Sequence, residues 1–244
     1  LWQDKKTLKY SGVLSNLCDE VYKEITMSPW NVAAAQYTPG RQGIDAHVQH
    51  HLRFIDAAAR QQCHLLVFPE LSLTGPANES GLLVAPPSEH DLAPVVRAVH
   101  THNITVIAGV TLNSKGIRQK GVALFSPKMS RPVCYQQGSG AYLSADDPHL
   151  LIVENKAELP PVDPLAALFT SSQAIGETRC RDSISRLQRF AHKYAIAVLM
   201  ANAYGNSALW DASGQLIVRA DKGELLLTGS WGKQGWQGDI IPLR

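Results

Sequence analysis

The sequence predicts a layered α/β fold, and three observations carry that expectation. Short runs rich in Val, Ile, Leu and Ala recur along the chain, as at Val32 to Tyr37, Leu65 to Phe68, Ile104 to Ala108 and Ile196 to Met200. Longer segments with apolar residues at helical spacing separate several of them. The resulting alternation of strands and helices buries its apolar faces only if helices pack on sheets.

Taken in order, Val32 to Tyr37 reads as a strand. Ile44 to Gln61 reads as a helix with Val48, Leu52, Ile55 and Ala59 on one face. Leu65 to Phe68 is a buried strand. Asp91 to His102 is a helix starting near Pro94. Ile104 to Ala108 and Gly121 to Ser126 are strands. Pro132 to Tyr135 pairs with the latter through a turn at Pro127 to Arg131. Strands follow at His149 to Val153 and Ala167 to Thr170, then a helix from Ser183 to Tyr194 and a strand from Ile196 to Met200. Ser207 to Trp210 and Gln215 to Arg219 form a hairpin across Asp211-Ala-Ser-Gly214, and Leu225 to Thr228 closes the set. Residues 1–26 read as a separate N-terminal extension. In it, Leu14, Leu17, Val21 and Ile25 suggest a short amphipathic helix. The main domain, residues 27–244, starts at Met27-Ser-Pro-Trp30.

Composition narrows the function classes. With 244 residues, 45% hydrophobic and 18% charged, the chain has the makings of one large core. A net charge of +2 gives no nucleic-acid or anionic-membrane footprint. No apolar run approaches the roughly 20 residues of a membrane span, and the start lacks a signal-peptide core. Cys18, Cys63, Cys134 and Cys180 have no paired spacing, which argues against a zinc site or disulfides and for reduced thiols in a cytoplasmic protein. His47, His50 and His51 share a helical face, but nothing completes a metal set, and a solvated face is the expectation. Lys115 to Lys120 reads as a solvated basic loop. Trp231 and Trp236 lie in a Gly-rich tail and are expected to pack on the body or on a partner chain.

The segment Leu65-Leu-Val-Phe-Pro-Glu70-Leu-Ser-Leu-Thr-Gly75 is the most informative. An apolar strand runs into Pro69 and a carboxylate. A carboxylate at the end of a buried strand is costly unless it is partnered or its titration is shifted, and such placements are enriched at functional sites.

Around Glu70, a strand ending in Gln36 precedes and one ending in Ala108-Gly109 follows. This order resembles the carbon–nitrogen hydrolase (nitrilase) superfamily, as does the later Ala201-Asn202-Ala-Tyr-Gly205 with the 207–219 hairpin. The resemblance covers roughly residues 30–230. It implies a four-layer α-β-β-α sandwich, a homodimer, no cofactor and no metal. The implied activity is hydrolysis of a small amide or nitrile by a Cys nucleophile, with Glu70 as general base in a Glu–Lys–Cys triad.

The middle departs from the family pattern. In Val133-Cys-Tyr135-Gln136-Gln137, Gln137 stands where the Lys is expected, and Lys128 and Lys156 are out of register. Leu150-Leu-Ile-Val runs through Glu154-Asn-Lys-Ala157 into Glu158 with no Cys between Cys134 and Cys180. Three alternatives stay open. The Cys belongs to residues additional to this sequence near Ala157–Glu158, or it is lost, or Cys180 replaces it. Arg179-Cys180-Arg181-Asp182 has the Cys-x-Asp spacing, and its arginines would depress a thiol pKa. Its setting, however, reads as the start of an amphipathic helix. The alternative function is a catalytically inactive member that binds a small molecule or partner.

Overall fold

The computed structural model describes residues 30–136, 141–143, 150–153 and 167–243. The N-terminal extension, Cys18, Gln137 and residues 154–166 lie outside the described residues.

β1 (Trp30–Gln36), β2 (Leu65–Val67) and β3 (Thr105–Ser114) are parallel neighbours. Two crossover helices, α1 (Ile44–Arg60) and α2 (Glu89–His102), join them. β3 turns into β4 (Ile117–Phe125), which pairs antiparallel with β5 (Val133–Gln136). The chain then changes sheet. β6 (Ala141–Leu143), β7 (Leu150–Val153), β8 (Leu168–Gln173), β9 (Ala197–Asn202), β10 (Ala208–Trp210) and β11 (Leu216–Arg219) form the second sheet in reverse order. α3 (Glu177–Tyr194) crosses between β8 and β9. Finally β12 (Leu225–Gly232) returns to the first sheet beside β1, and β13 (Gly235–Pro242) forms its edge.

Alternation along the strands builds the layers. Val32, Ala34, Leu65, Val67, Ile107 and Leu124 of the first sheet meet Leu168, Leu199 and Leu209 of the second. The opposite face of the first sheet carries Ala33, Leu66, Val106 and Ala123, packed with Phe54, Ile55, Val95 and Val99 of α1 and α2. On the outside of the second sheet, Phe169, Val198 and Met200 pack with Leu187 and Phe190 of α3. This is the α-β-β-α sandwich that the resemblance implies. Gln36 ties the sheets together. Its amide donates to the carbonyls of Asp221 and Gly223 and accepts from Ser207 N–H.

Several elements differ from the sequence reading. α2 starts at Glu89, before Pro94, because Ser88 and Asp91 form a reciprocal capping box. β4 starts at Ile117, so the supposed basic loop is largely strand. The Gly-rich tail is the β12–β13 hairpin, where Trp236 lies 5.6 Å from Trp231 and 6.1 Å from Trp30. The histidine face of α1 is not solvated. His47 and His51 are buried, and His51 stacks on Phe68 at 4.0 Å. Burial holds all three imidazoles below their ordinary pKa, so they pack as neutral rings. Among the described residues no helix is long and apolar enough to cross a membrane.

Candidate active site

β2 stops at Val67, and Pro69 explains why. Proline has no N–H for the ladder, and the chain turns over the end of β3. Leu71 takes φ +54°, an uncommon conformation for a branched residue. The turn closes with Ser72 N–H donating to the Pro69 carbonyl and Gly75 N–H to that of Leu71. It is pinned to β3 by Leu73 N–H donating to Gly109 O at 2.9 Å and Gly109 N–H donating to Ser72 Oγ at 3.1 Å. From the second sheet, the Gln173 carbonyl accepts from Glu70 N–H at 3.3 Å. Glu70 therefore stands at the seam of the two sheets.

Its carboxylate is only 11% exposed, and Lys120 Nζ donates to Oε1 at 2.7 Å. Lys120 lies on β4 opposite Thr111. It shares strand parity with Val122 and Leu124, both members of the core between the sheets. The ammonium thus approaches from the inter-sheet face. The cost of a nearly desolvated carboxylate is met here by an opposite charge. Sequence reasoning missed Lys120. The available signal was its two-residue spacing from Val122 and Leu124, legible once the strand is extended back through Gly121.

A second layer of side chains holds the turn. His51 Nδ1 lies 2.7 Å from the His47 carbonyl, which only accepts, so the proton sits on Nδ1. Nε2 is then the acceptor for Ser72 Oγ–H at 3.1 Å. With Gly109 N–H bonded to the same Ser72 oxygen, each donor in this row has an acceptor. Among the described residues no group of three or more His, Cys, Asp and Glu could hold a metal ion.

The cysteines sit elsewhere. Cys63 precedes β2 in the outer core, where burial pushes its thiol up to about 12. Cys134 is exposed on β5, opposite Ala123 of the outer face. Cys180 is a buried residue of α3, the helix that covers the outside of the second sheet. Burial raises its thiol, against the opposing pull of Arg219. These are the surroundings of a packed thiol rather than an activated one. The structure does not bring Cys180 to the seam where Glu70 stands.

Comparison with known proteins agrees with this architecture. Residues 31–137, from β1 to the end of β5, match the model of the carbon-nitrogen hydrolase family. A CN-hydrolase superfamily protein from Xanthomonas campestris, carrying an arsenic adduct in its active site, superposes with a TM-score of 0.68 at 13% identity, over 84% of this chain and 91% of that one. The amidase of Nesterenkonia sp. AN1, as a Glu-to-Gln and Cys-to-Ala double mutant with acrylamide, gives 0.67 at 14%, over 85% and 92%. Glutamine-dependent NAD+ synthetase from Acinetobacter baumannii gives 0.68 at 14%, over 89% of this chain but 49% of its own, so this chain spans about half of that enzyme. At such identities the likeness is one of fold. With the match of residues 31–137, the chain is similar to the carbon-nitrogen hydrolase family over that part, and its described residues share the fold of nitrilase-superfamily proteins.

Proposed function

We propose that the chain binds a small amide or nitrile at the seam of the sheets and hydrolyses a non-peptide carbon–nitrogen bond there, with Glu70 as general base. The supporting observation is the nearly desolvated Glu70 carboxylate on a turn fixed by both sheets. Such a base takes a proton from the attacking nucleophile and later from water. In this reading the nucleophile is a thiol. Glu70→Gln then abolishes ammonia release from small amides and nitriles while the circular-dichroism spectrum and unfolding midpoint hold. Unchanged turnover sinks the assignment. The family resemblance carries a homodimer with it, which light scattering checks.

A second reading is favoured by the placement of the described cysteines. Cys63, Cys134 and Cys180 all lie on outer sides of the sandwich. The chain would then keep the pocket and bind a small molecule or partner without turnover. A cysteine-directed electrophile separates the two. An enzyme is labelled at one site in a Glu70-dependent manner, and a binding protein is not.

A further inference from the structure

We infer that the outer edge of the first sheet holds a second binding site, for a small aliphatic carboxylate, in the cleft between α1 and β13. It is separate from the seam, since β13 stands three strands away from β2 in the sheet order. Alternation divides the end of β13 between the two cores. Ile240 packs toward the second sheet, whereas Ile241 and the following Leu243 pack toward the outer core, both only partly buried. Among the described residues α1 and α2 are the helices of this outer face, with α1 packed toward β12 and α2 toward β4. The edge strand beyond β12 thus forms a ledge, and α1 forms the wall beside it. Between them lies a cavity of about 330 Å³, at the small end of the roughly 300–1,000 Å³ range of ligand pockets.

The cavity has an apolar floor and a charged rim. Ala57, Ile241 and Leu243 line the floor, and Arg53, Asp56 and Arg60 line the rim from one stripe of α1, at i, i+3 and i+7. The rim charges do not cancel. Asp56 Oδ1 lies 2.9 Å from His102 Nε2 of α2, and Arg53 Nη1 lies 3.7 Å from Glu224 Oε1. Arg60 donates from Nε to the Asp56 carbonyl at 3.3 Å, which orients its guanidinium, and it makes no ion pair among the described residues. Arginines on a solvated helix face are ordinary, but an apolar floor beneath them is not. One uncompensated guanidinium fork beside aliphatic side chains suits a single carboxylate on an aliphatic tail. A doubly charged head group fits less well, because Asp56, Glu224 and the C-terminal carbonyls of α1 are close by.

Methyl-labelled protein titrated with hexanoate, acetate and 1-hexanol tests this by NMR. Hexanoate should shift the Ile241 and Leu243 methyl signals saturably. Acetate lacks the tail and hexanol lacks the charge, so each should bind about tenfold more weakly or worse. Arg60→Gln should lose about tenfold in hexanoate affinity. Ala57→Leu, which fills the cavity, should abolish the shifts. The remaining methyl signals report whether each variant is folded. The inference is overturned if hexanoate gives no saturable shift at these methyls, if hexanol binds as tightly, or if folded Arg60→Gln binds hexanoate as wild type does. Should Arg60→Gln fail to fold, the comparison of the three ligands on wild type decides alone.

Discussion

Gly109 and Leu71 approach so closely that no side chain fits between them. A Cβ on Gly109 would lie 2.3 Å from Leu71 N and 2.4 Å from Pro69 O. The turn presenting Glu70 rests directly on the backbone of β3, and the missing Cβ makes that possible. Gly109→Ala must push the turn away. Overpacking of this kind costs about 2 kcal/mol, so the unfolding midpoint should fall. Turnover or butyramide binding should drop further than stability alone explains. A variant with both properties intact would show that the turn does not need this contact.

His51 makes stability sensitive to acid. Burial depresses its pKa from 6.5 to about 3. On acidification the unfolded chain takes up this proton first. The contribution is therefore full above about pH 6.5 and is lost as pH falls toward 3. At pH 5 the loss from this one group approaches ~2 kcal/mol. His47 and His50 are shifted in the same direction and steepen the fall. Urea unfolding at pH 7, 6 and 5 measures the slope. His51→Gln should reduce it by about one proton, and an unchanged slope would contradict the buried neutral imidazole.

Gln36 satisfies one backbone N–H and two carbonyls from the far end of the chain. Gln36→Leu preserves much of the volume and removes every one of those bonds. Leaving such groups buried and unpaired should cost roughly 2–4 kcal/mol, read from denaturant midpoints. A loss within a few tenths of a kcal/mol would mean that water replaces the amide.

Among the described cysteines, iodoacetamide should modify Cys134 first. Cys63 and Cys180, each 5% exposed, should react only as the protein unfolds. Peptide mapping after limited alkylation checks the order. Rapid modification of native Cys180 would revive it as a nucleophile.

Much of the fold was legible because strand and helix periods are local. The Pro69–Glu70 break and Gly109 were visible for the same reason. Lys120 was not, since a charged residue near a hairpin tip looks solvated until the strand is known to continue through it. The histidines misled because their titration depends on Phe68, Tyr37 and Phe54, which only the fold brings near. β13 was hidden by its glycines. Gly238 is there because Val218 of the second sheet would lie 2.3 Å from a Cβ, a packing reason that resembles a loop signal in sequence.

The position of β1 bears on how a ribosome delivers this protein. β1 is the first described strand, yet one of its two neighbours, β12, comes after every other strand except β13. Until residues 225–232 emerge, the row Val32-Ala33-Ala34-Ala35 offers an open edge to any passing strand. A nascent chain carries that exposure while the residues between β1 and β12 are made, and the β12–β13 hairpin seals it.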